Sequence, residues 1–217
     1  MKKIFLCLMV VATIFASCKK ETKDVSKVYD AYASKLVLKG DPIYAPPAGT
    51  TNYVDPGATF TDDDGSTKDL NTPLSLPNLS KPGFYSVSYR AESIHGYIRT
   101  VTRLVLVTNV DPNIDFSGPY MRPSNSVKFN ITKLGPGLYK TNNVGGAPSG
   151  PTPGVDVYFG HTSDSTLVVP LQQTAFGPVS CKDGKVKFNS GTGKATISWI
   201  VLNETYFLTN LRTFVQQ

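Results

Sequence analysis

The sequence predicts an all-β protein in which an antiparallel β-sandwich is followed by an antiparallel β-barrel or a second β-sandwich. Short segments alternate polar and apolar residues, and in residues 84–91 the apolar set recurs with a period of two. Turn formers separate these segments, with 18 Gly and 16 Pro in 217 residues. Helix-forming Ala, Glu and Gln nowhere cluster with a 3.6-residue period, so the pattern favours strands throughout.

The N-terminal residues have the layout of an export signal. Residues 1–3 are positively charged, residues 4–15 are apolar apart from Thr13, and Ala16 and Ser17 precede Cys18. The apolar run is much shorter than the ~20 residues of a membrane-spanning helix. Small residues directly before a Cys resemble a bacterial lipobox, in which the thiol is acylated. We therefore predict a signal peptide over residues 1–17, lipidation of Cys18 and a flexible tether over residues 18–32.

Charge and cysteine content exclude several classes of partner. The formal charge of +6 falls to +4 when Lys2 and Lys3 leave with the signal, because 20 bases then face 16 acids. Four of those bases lie in the tether, so the folded part has no basic stripe for nucleic acid. Removal of Cys7 and acylation of Cys18 leave Cys181 alone, which excludes an intramolecular disulfide and a cysteine-based metal site. We expect Cys181 to be a buried, inert thiol.

The spacing of the strand-like segments divides the mature chain in two. The first group is predicted at residues 35–39, 52–54, 58–61, 83–91 and 97–108, and residues 108–113 form a linker. The second group is predicted at residues 118–122, 126–133, 137–140, 155–160, 166–170, 185–189, 195–202 and 205–215. We predict one domain over residues 33–110 and another, closed into a barrel or sandwich, over residues 111–217.

The first domain resembles a known module. Residues 53–58 (YVDPGA), 82–91 (PGFYSVSYRA) and 103–107 (RLVLV) are similar to a bacterial immunoglobulin-like domain. The resemblance covers about residues 33–109 and implies an immunoglobulin-like β-sandwich.

The second domain resembles the C-terminal part of Bacteroidetes outer-membrane lipoproteins of unknown function. The resemblance is carried by residues 115–120 (DFSGPY), 131–139 (ITKLGPGLY) and the Gly-rich stretch after Asn143. Those proteins pair an immunoglobulin-like domain with this module, and many are expected beside glycan-uptake genes. The resemblance implies an outer-membrane location and brings no catalytic residue.

A candidate ligand site surrounds the long loop at residues 142–154. Aromatic rings suit the apolar face of a sugar, whose hydroxyls need polar neighbours. The residues that supply these chemistries here are Asn142, Asn143, Asp156, Tyr158 and His161. An alternative places Tyr139 and Tyr158 in the core of the second domain, and for these two rings we favour it.

Other candidate residues favour structural roles. Trp199 shares a strand face with Ile197 and Val201, which predicts burial. Residues 62–64 are three consecutive Asp, and without calcium-loop spacing they indicate a solvated turn rather than a metal site. Residues 161–165 hold His, Ser and Asp too close in sequence for a triad. We predict neither cofactor nor metal.

These features together predict a non-catalytic lipoprotein, anchored by Cys18 to the outer membrane and facing the cell surface. Its expected role is glycan capture or uptake beside an outer-membrane transporter. One alternative is a structural or adhesive protein that binds another protein. A less favoured one is a glycan-active hydrolase, which requires two carboxylates converging in a cleft.

Overall fold

The structure is a computed structural model that describes residues 33–47, 49–148, 156–203 and 210–217. Within these ranges every regular element is a β-strand, and no helix is present that could cross a membrane. The all-β prediction is therefore confirmed for the described part of the chain. The predicted signal peptide, Cys18 and tether lie outside it.

The first six strands form two three-stranded sheets. They are β1 Lys35–Leu38, β2 Ile43–Tyr44, β3 Ala58–Thr61, β4 Thr67–Leu70, β5 Gly83–Glu92 and β6 Ile98–Val107. One sheet has the order β1-β3-β4 and the other β2-β6-β5, and only the β2–β6 pair is parallel. Alternate residues of β5 and β6 are buried, and the shared core contains Ala58, Val87, Tyr89 and Val105.

The strand predicted at residues 52–54 is wrong, and β2 and β4 were not predicted. The Tyr53 side chain is used in a hydrogen-bond network instead. The Asp55 carboxylate accepts hydrogen bonds from the hydroxyls of Tyr53 (2.6 Å) and Tyr89 (2.7 Å). It also accepts them from the backbone N–H of Gly57 (2.8 Å) and from Nε of Arg103 (2.9 Å).

Arg103 is 1% exposed, and its remaining guanidinium nitrogens donate to the carbonyl oxygens of Asp41 and Lys39. A buried ion pair is tolerated only when its other polar atoms are also satisfied, as they are here. The network holds the segment between β2 and β3 against β5 and β6.

The last eight strands form a closed antiparallel barrel. They are β7 Gly118–Arg122, β8 Val127–Gly135, β9 Leu138–Thr141, β10 Val157–Ser163, β11 Thr166–Thr174, β12 Gly177–Phe188, β13 Ala195–Asn203 and β14 Leu211–Gln216. Each strand pairs with the next along the chain, and β14 closes the barrel on β7 through Val215 opposite Met121. Of the two architectures left open by the sequence, the barrel is the one formed.

The barrel interior is filled by side chains. Phe116 stacks on Tyr139 with ring centroids 4.1 Å apart, and Phe159 contacts the edge of Trp199 at 5.3 Å. Trp199 and Tyr139 are both fully buried, so the prediction of a core position is confirmed for each. A barrel of this size has room for packed side chains and little else.

One end of the barrel, which we call the near end, contacts the end of β6. The hydroxyl of Thr108 donates to the carbonyl oxygen of His161 (2.7 Å), and the backbone N–H of Asn109 donates to that of Thr162 (3.2 Å). Gly160 packs so closely that an added Cβ would lie 2.5 Å from Cδ1 of Leu106 and 2.8 Å from Cε2 of Phe84. The start of the predicted linker is therefore bonded to the barrel.

The folded chain begins at the opposite end of β5 and β6. The backbone N–H of Ser34 donates to Asp63 Oδ1 (2.8 Å), and that of Ile94, in the turn after β5, donates to Asp62 Oδ1 (3.0 Å). Strands β5 and β6 have ten residues each, so this end is about 30 Å from the barrel contact. The last residues of β7, β9, β11 and β13 lie at the other end of the barrel, which we call the far end.

Candidate functional site

Two of the predicted site residues, Asp156 and Tyr158, lie on the outer wall of the barrel. In β10 the side chains of Val157 and Phe159 are fully buried, so the alternation turns Tyr158 outward. Tyr158 is opposite Lys140 of β9, and both side chains are partly exposed. The proposed core position of Tyr158 is therefore wrong.

Lys140 links the two strands electrostatically. Its Nζ lies 2.7 Å from Oδ2 of Asp156, with about a third of each side chain exposed (34% and 40%). The hydrogen bond that Lys140 donates to Asp156 raises the pKa of Lys140 above its usual value, so the ammonium stays charged at neutral pH. A surface pair of this kind adds little stability. Its polar atoms are placed beside the Tyr158 ring.

Amide side chains complete the strand ladder on both sides of this surface. The side-chain oxygen of Asn142 accepts a hydrogen bond from the backbone N–H of Asn130 (3.2 Å). Gln172 of β11 accepts from the backbone N–H of Tyr158 (2.9 Å) and donates to its carbonyl oxygen (2.7 Å). The backbone pairing of β10 with β11 extends from Ser163 to Gly160, and at Tyr158 the Gln172 side chain takes the place of a backbone partner. Asn142, Asp156, Tyr158 and Lys140 form what we call the outer-wall site.

Asn143 has a different role from the one predicted. It is 7% exposed, and its side chain accepts from the backbone N–H of Ala147 (2.9 Å) and donates to the carbonyl oxygen of Ala147 (3.2 Å). These two bonds fix the turn that begins the long loop. Residues 149–155 of that loop lie outside the described residues.

His161 is also turned away from the outer wall. It continues the inward alternation of Val157 and Phe159 and is fully buried at the near end, 5.7 Å from the Phe116 ring. Its Nε2 lies 2.6 Å from the carbonyl oxygen of Asp164, and Nδ1 has no hydrogen-bond partner. Nε2 is the only ring nitrogen facing an acceptor, so it carries the proton. A ligand on the outer wall does not reach this ring.

Lys140 and Gln172 were missed by sequence reasoning. Lys140 is 16 residues before Asp156. Because a long loop separates them, the sequence does not indicate the register in which β9 pairs with β10. Gln172 is placed by an irregular register, which strand alternation does not predict. The alternating outward position of Lys140 in β9 was the one available signal.

A groove of about 340 Å³ lies in the first half of the chain near the barrel contact. Its lining is uncharged and combines Pro rings with hydroxyl side chains: Pro46, Pro47, Gly49, Thr50, Thr51, Leu79, Ser80, Val107 and Thr108. Among the described lining residues there is no carboxylate, imidazole or thiol to act as a base toward the hydroxyl groups.

The three consecutive Asp residues do not form a simple solvated turn. Asp62 and Asp63 are 9% and 8% exposed and accept backbone N–H groups, while Asp64 is exposed. The hydroxyl of Ser93, together with His95 and Ser34, lowers the pKa of Asp63. No group of three metal-binding side chains occurs anywhere in the described ranges.

Comparisons with known proteins add little to this geometry. No family model matches the chain, and no curated protein does. One solved structure that matches is a lipoprotein from Bacteroides thetaiotaomicron, at 22% identity over 85% of this chain and 100% of the other, with a TM-score of 0.37. A likeness at this TM-score supports no conclusion about fold or function.

Proposed function

We propose that the protein is a lipoprotein of the outer membrane that displays a glycan-binding barrel at the cell surface, for delivery to a transport partner. Acylation of Cys18 supplies the anchor, and several acyl chains at ~0.8 kcal/mol per buried methylene hold a soluble body at a membrane. The two sheets of residues 35–107 are the immunoglobulin-like spacer of the resemblance. The proposal includes no chemical step.

The outer-wall site is the observation that carries the binding role. One partly exposed ring, Tyr158, lies beside a charged pair and an amide whose positions are fixed by the strand register. A sugar packs its C–H face on such a ring and directs its hydroxyls to the neighbouring carboxylate, ammonium and amide. The site needs little rearrangement to bind, because backbone pairing already orders its side chains.

The direction of the chain supports the spacer role. The tether enters the folded body at Ser34, and the barrel contact lies about 30 Å away along β5 and β6. A barrel held at that distance from the anchored end presents its far end away from the lipid. This orientation suits capture of a large external ligand.

A glycan-array screen tests the binding role. We expect the chain beginning at residue 19 to bind at least one glycan class, and Tyr158→Ala and Asp156→Asn each to weaken that binding about tenfold or more. Tyr97→Ala is the matched control, because Tyr97 is 61% exposed at the tether end. Absence of binding to every glycan, or equal binding by all variants, would rule the proposal out.

Metabolic labelling with a fatty-acid probe tests the anchor separately. We expect the full-length protein to be labelled and the Cys18→Ala variant not to be. Protease treatment of intact cells then reports whether the barrel is outside. Equal labelling of the two proteins would remove the anchor from the proposal.

An adhesive role is the second candidate, and one observation favours it. Leu202 and Leu211 are 36% and 60% exposed on the neighbouring strands β13 and β14, and Leu171 is 66% exposed on β11, two strands from β13. Exposed apolar residues on neighbouring strands mark protein-binding surfaces. Loss of a protein partner in Leu171→Ser and Leu211→Ser, with glycan binding absent in wild type, would favour this role.

A further inference from the structure

Two arginines point into the barrel at its far end. Arg122 is the last residue of β7, and Arg212 is the second residue of β14. The register places Arg212 opposite Trp199, and the β14–β7 pairing continues to place Arg122 opposite Phe214. Since Trp199 and Phe214 are fully buried, the alternation directs both arginine side chains toward the interior.

Neither guanidinium has an acidic partner among the described residues. Nη1 of Arg122 makes only long hydrogen bonds, 3.4 Å and 3.3 Å, to the carbonyl oxygens of Gly145 and Gly146. Nε of Arg212 is buried and has no hydrogen-bond partner. Burial and the nearby charge of Arg212 lower the pKa of Arg122. The two cations therefore repel one another while partly removed from water.

The surrounding backbone keeps the Arg122 side chain in place. A Cβ on Gly146 would lie 2.8 Å from Cδ of Arg122 and 2.8 Å from Cε1 of Phe214, so the loop packs directly on them. The indole of Trp199 donates to the carbonyl oxygen of Val144 (2.8 Å), which fixes the same loop from below. The Arg122 guanidinium is thus held at the mouth of the barrel before any ligand arrives.

An arrangement of this kind needs an anion. Two like charges in a poorly hydrated position are unfavourable unless a counter-charge bonds to them. Guanidinium groups match the planar, two-oxygen edge of a carboxylate, and they bind sulfate and phosphate oxygens equally well. The carboxylate of the outer-wall site, Asp156, is already paired with Lys140.

We propose that Arg122 and Arg212 form an oxyanion-binding site at the far end of the barrel, and that its ligand is an acidic glycan bearing carboxylate or sulfate groups. The oxyanion site stands on the arginine geometry alone, whereas the identification of a glycan rests on the proposed function. The far end also carries Asn142 and Asp156 at its rim, so a single chain of sugars spans the arginines and the outer-wall site.

Trp199 provides an internal reporter for the test. It is the only Trp in the sequence, lies opposite Arg212 and contacts the loop above it. The probes are a short oligogalacturonate, the same oligosaccharide as its neutral methyl ester, and inorganic sulfate. Titrations use the chain beginning at residue 19, with Trp199 fluorescence and calorimetry as readouts.

We expect oligogalacturonate to change the Trp199 emission and the methyl ester to bind at least about tenfold more weakly. Arg212→Gln and Arg122→Gln should each lower the oligogalacturonate affinity about tenfold or more. Arg90→Gln is the matched control for charge, because Arg90 is exposed on the outer face of β5, and its affinity should stay within about twofold. Two arginine variants guard against the failure of either one to fold.

The outcomes separate the two parts of the proposal. Arginine-dependent binding of sulfate without oligogalacturonate keeps the oxyanion site and removes the glycan. Equal binding of acid and ester, unaffected by both arginine variants, overturns the site while leaving glycan capture at Tyr158 intact.

Discussion

The indole Nε1 of Trp199 donates a 2.8 Å hydrogen bond to the carbonyl oxygen of Val144. The bond joins the centre of β13 to the loop that follows β9, 55 residues earlier in the chain. Trp199 is fully buried and Val144 is 8% exposed, so neither group has water as an alternative partner. The bond therefore couples packing inside the barrel to the position of the far-end loop.

Replacing Trp199 by Phe should destabilise the barrel by about 2–4 kcal/mol. The change leaves the Val144 carbonyl unsatisfied and opens a space beside Phe159 and Phe214. Urea unfolding followed by circular dichroism measures the loss, with the exposed Tyr97→Phe as control. A loss within the error of that control would show that the bond does not stabilise the loop.

Removing the Asp55 carboxylate should unfold the first half of the chain more severely than removing a surface acid. In Asp55→Ala the buried Arg103 loses its counter-charge, at a cost of about 3–5 kcal/mol. Asp69→Ala breaks the exposed pair with Lys39 and should cost about 1 kcal/mol or less. Similar denaturation midpoints for the two variants would contradict a stabilising role for the network.

Acid should weaken the same network. Burial alone would raise the pKa of Asp55, but hydrogen bonds from Tyr53, Tyr89, Gly57 and Arg103 outweigh it and lower the pKa below its ordinary value. A carboxyl with a lowered folded pKa stabilises the fold above its unfolded pKa of about 3.9, and this contribution is lost as the pH falls toward the folded value. Urea midpoints at pH 7, 5 and 3 should drop below pH 4 in wild type. The urea midpoint of Asp55→Asn should drop less over the same pH range.

A methyl group at Gly160 should separate the barrel from β6. The added carbon would lie within 3 Å of Leu106 and Phe84, so β10 must shift, at a cost of about 1–3 kcal/mol. The amide of Asn109, bonded to Thr162, should exchange its hydrogen faster in Gly160→Ala. Gly191→Ala is the control, since its new carbon would meet its nearest neighbour at 3.4 Å. An unchanged hydrogen-exchange rate at Asn109 would show that the contact between the barrel and β6 accommodates the added methyl group without separating.

The Cys181 thiol should be unreactive in the native protein. Cys181 is partly rather than fully buried and packs against the barrel core; this burial raises its pKa above the usual value, and the thiolate is the reactive form. In the chain beginning at residue 19, a thiol reagent should label Cys181 at least about 100-fold more slowly in buffer than in urea. Rapid labelling in buffer would show that this part of β12 opens to solvent.

Much of the fold follows from local pattern. All eight strands of the barrel overlap predicted segments, and β7 agrees with its predicted bounds, but the segment predicted at residues 185–189 covers only the end of β12. Alternation within a strand predicted the buried position of Trp199. It failed for β2 and β4, which are too short or too polar to alternate.

The candidate site was predicted less completely. Tyr158 and Asp156 lie on the outer wall, but His161 is inside the barrel because three residues further along the same strand the side chain faces inward. The side-chain amide of Asn143 is hydrogen-bonded to the backbone of Ala147, within the turn. Residues that are close along the chain were expected to share one face of the barrel, and these residues do not.

By itself the sequence determined that the described chain is built of strands, how many form its second half, and that Trp199 and Tyr139 lie in the core of that half. Only the tertiary structure decided that the barrel closes, that Lys140 meets Asp156, and that Arg122 and Arg212 converge with no acidic partner in the described part of the chain. Alternation is a property of neighbouring residues, whereas closure, cross-strand partners and unpaired charge depend on the register between strands distant in the chain.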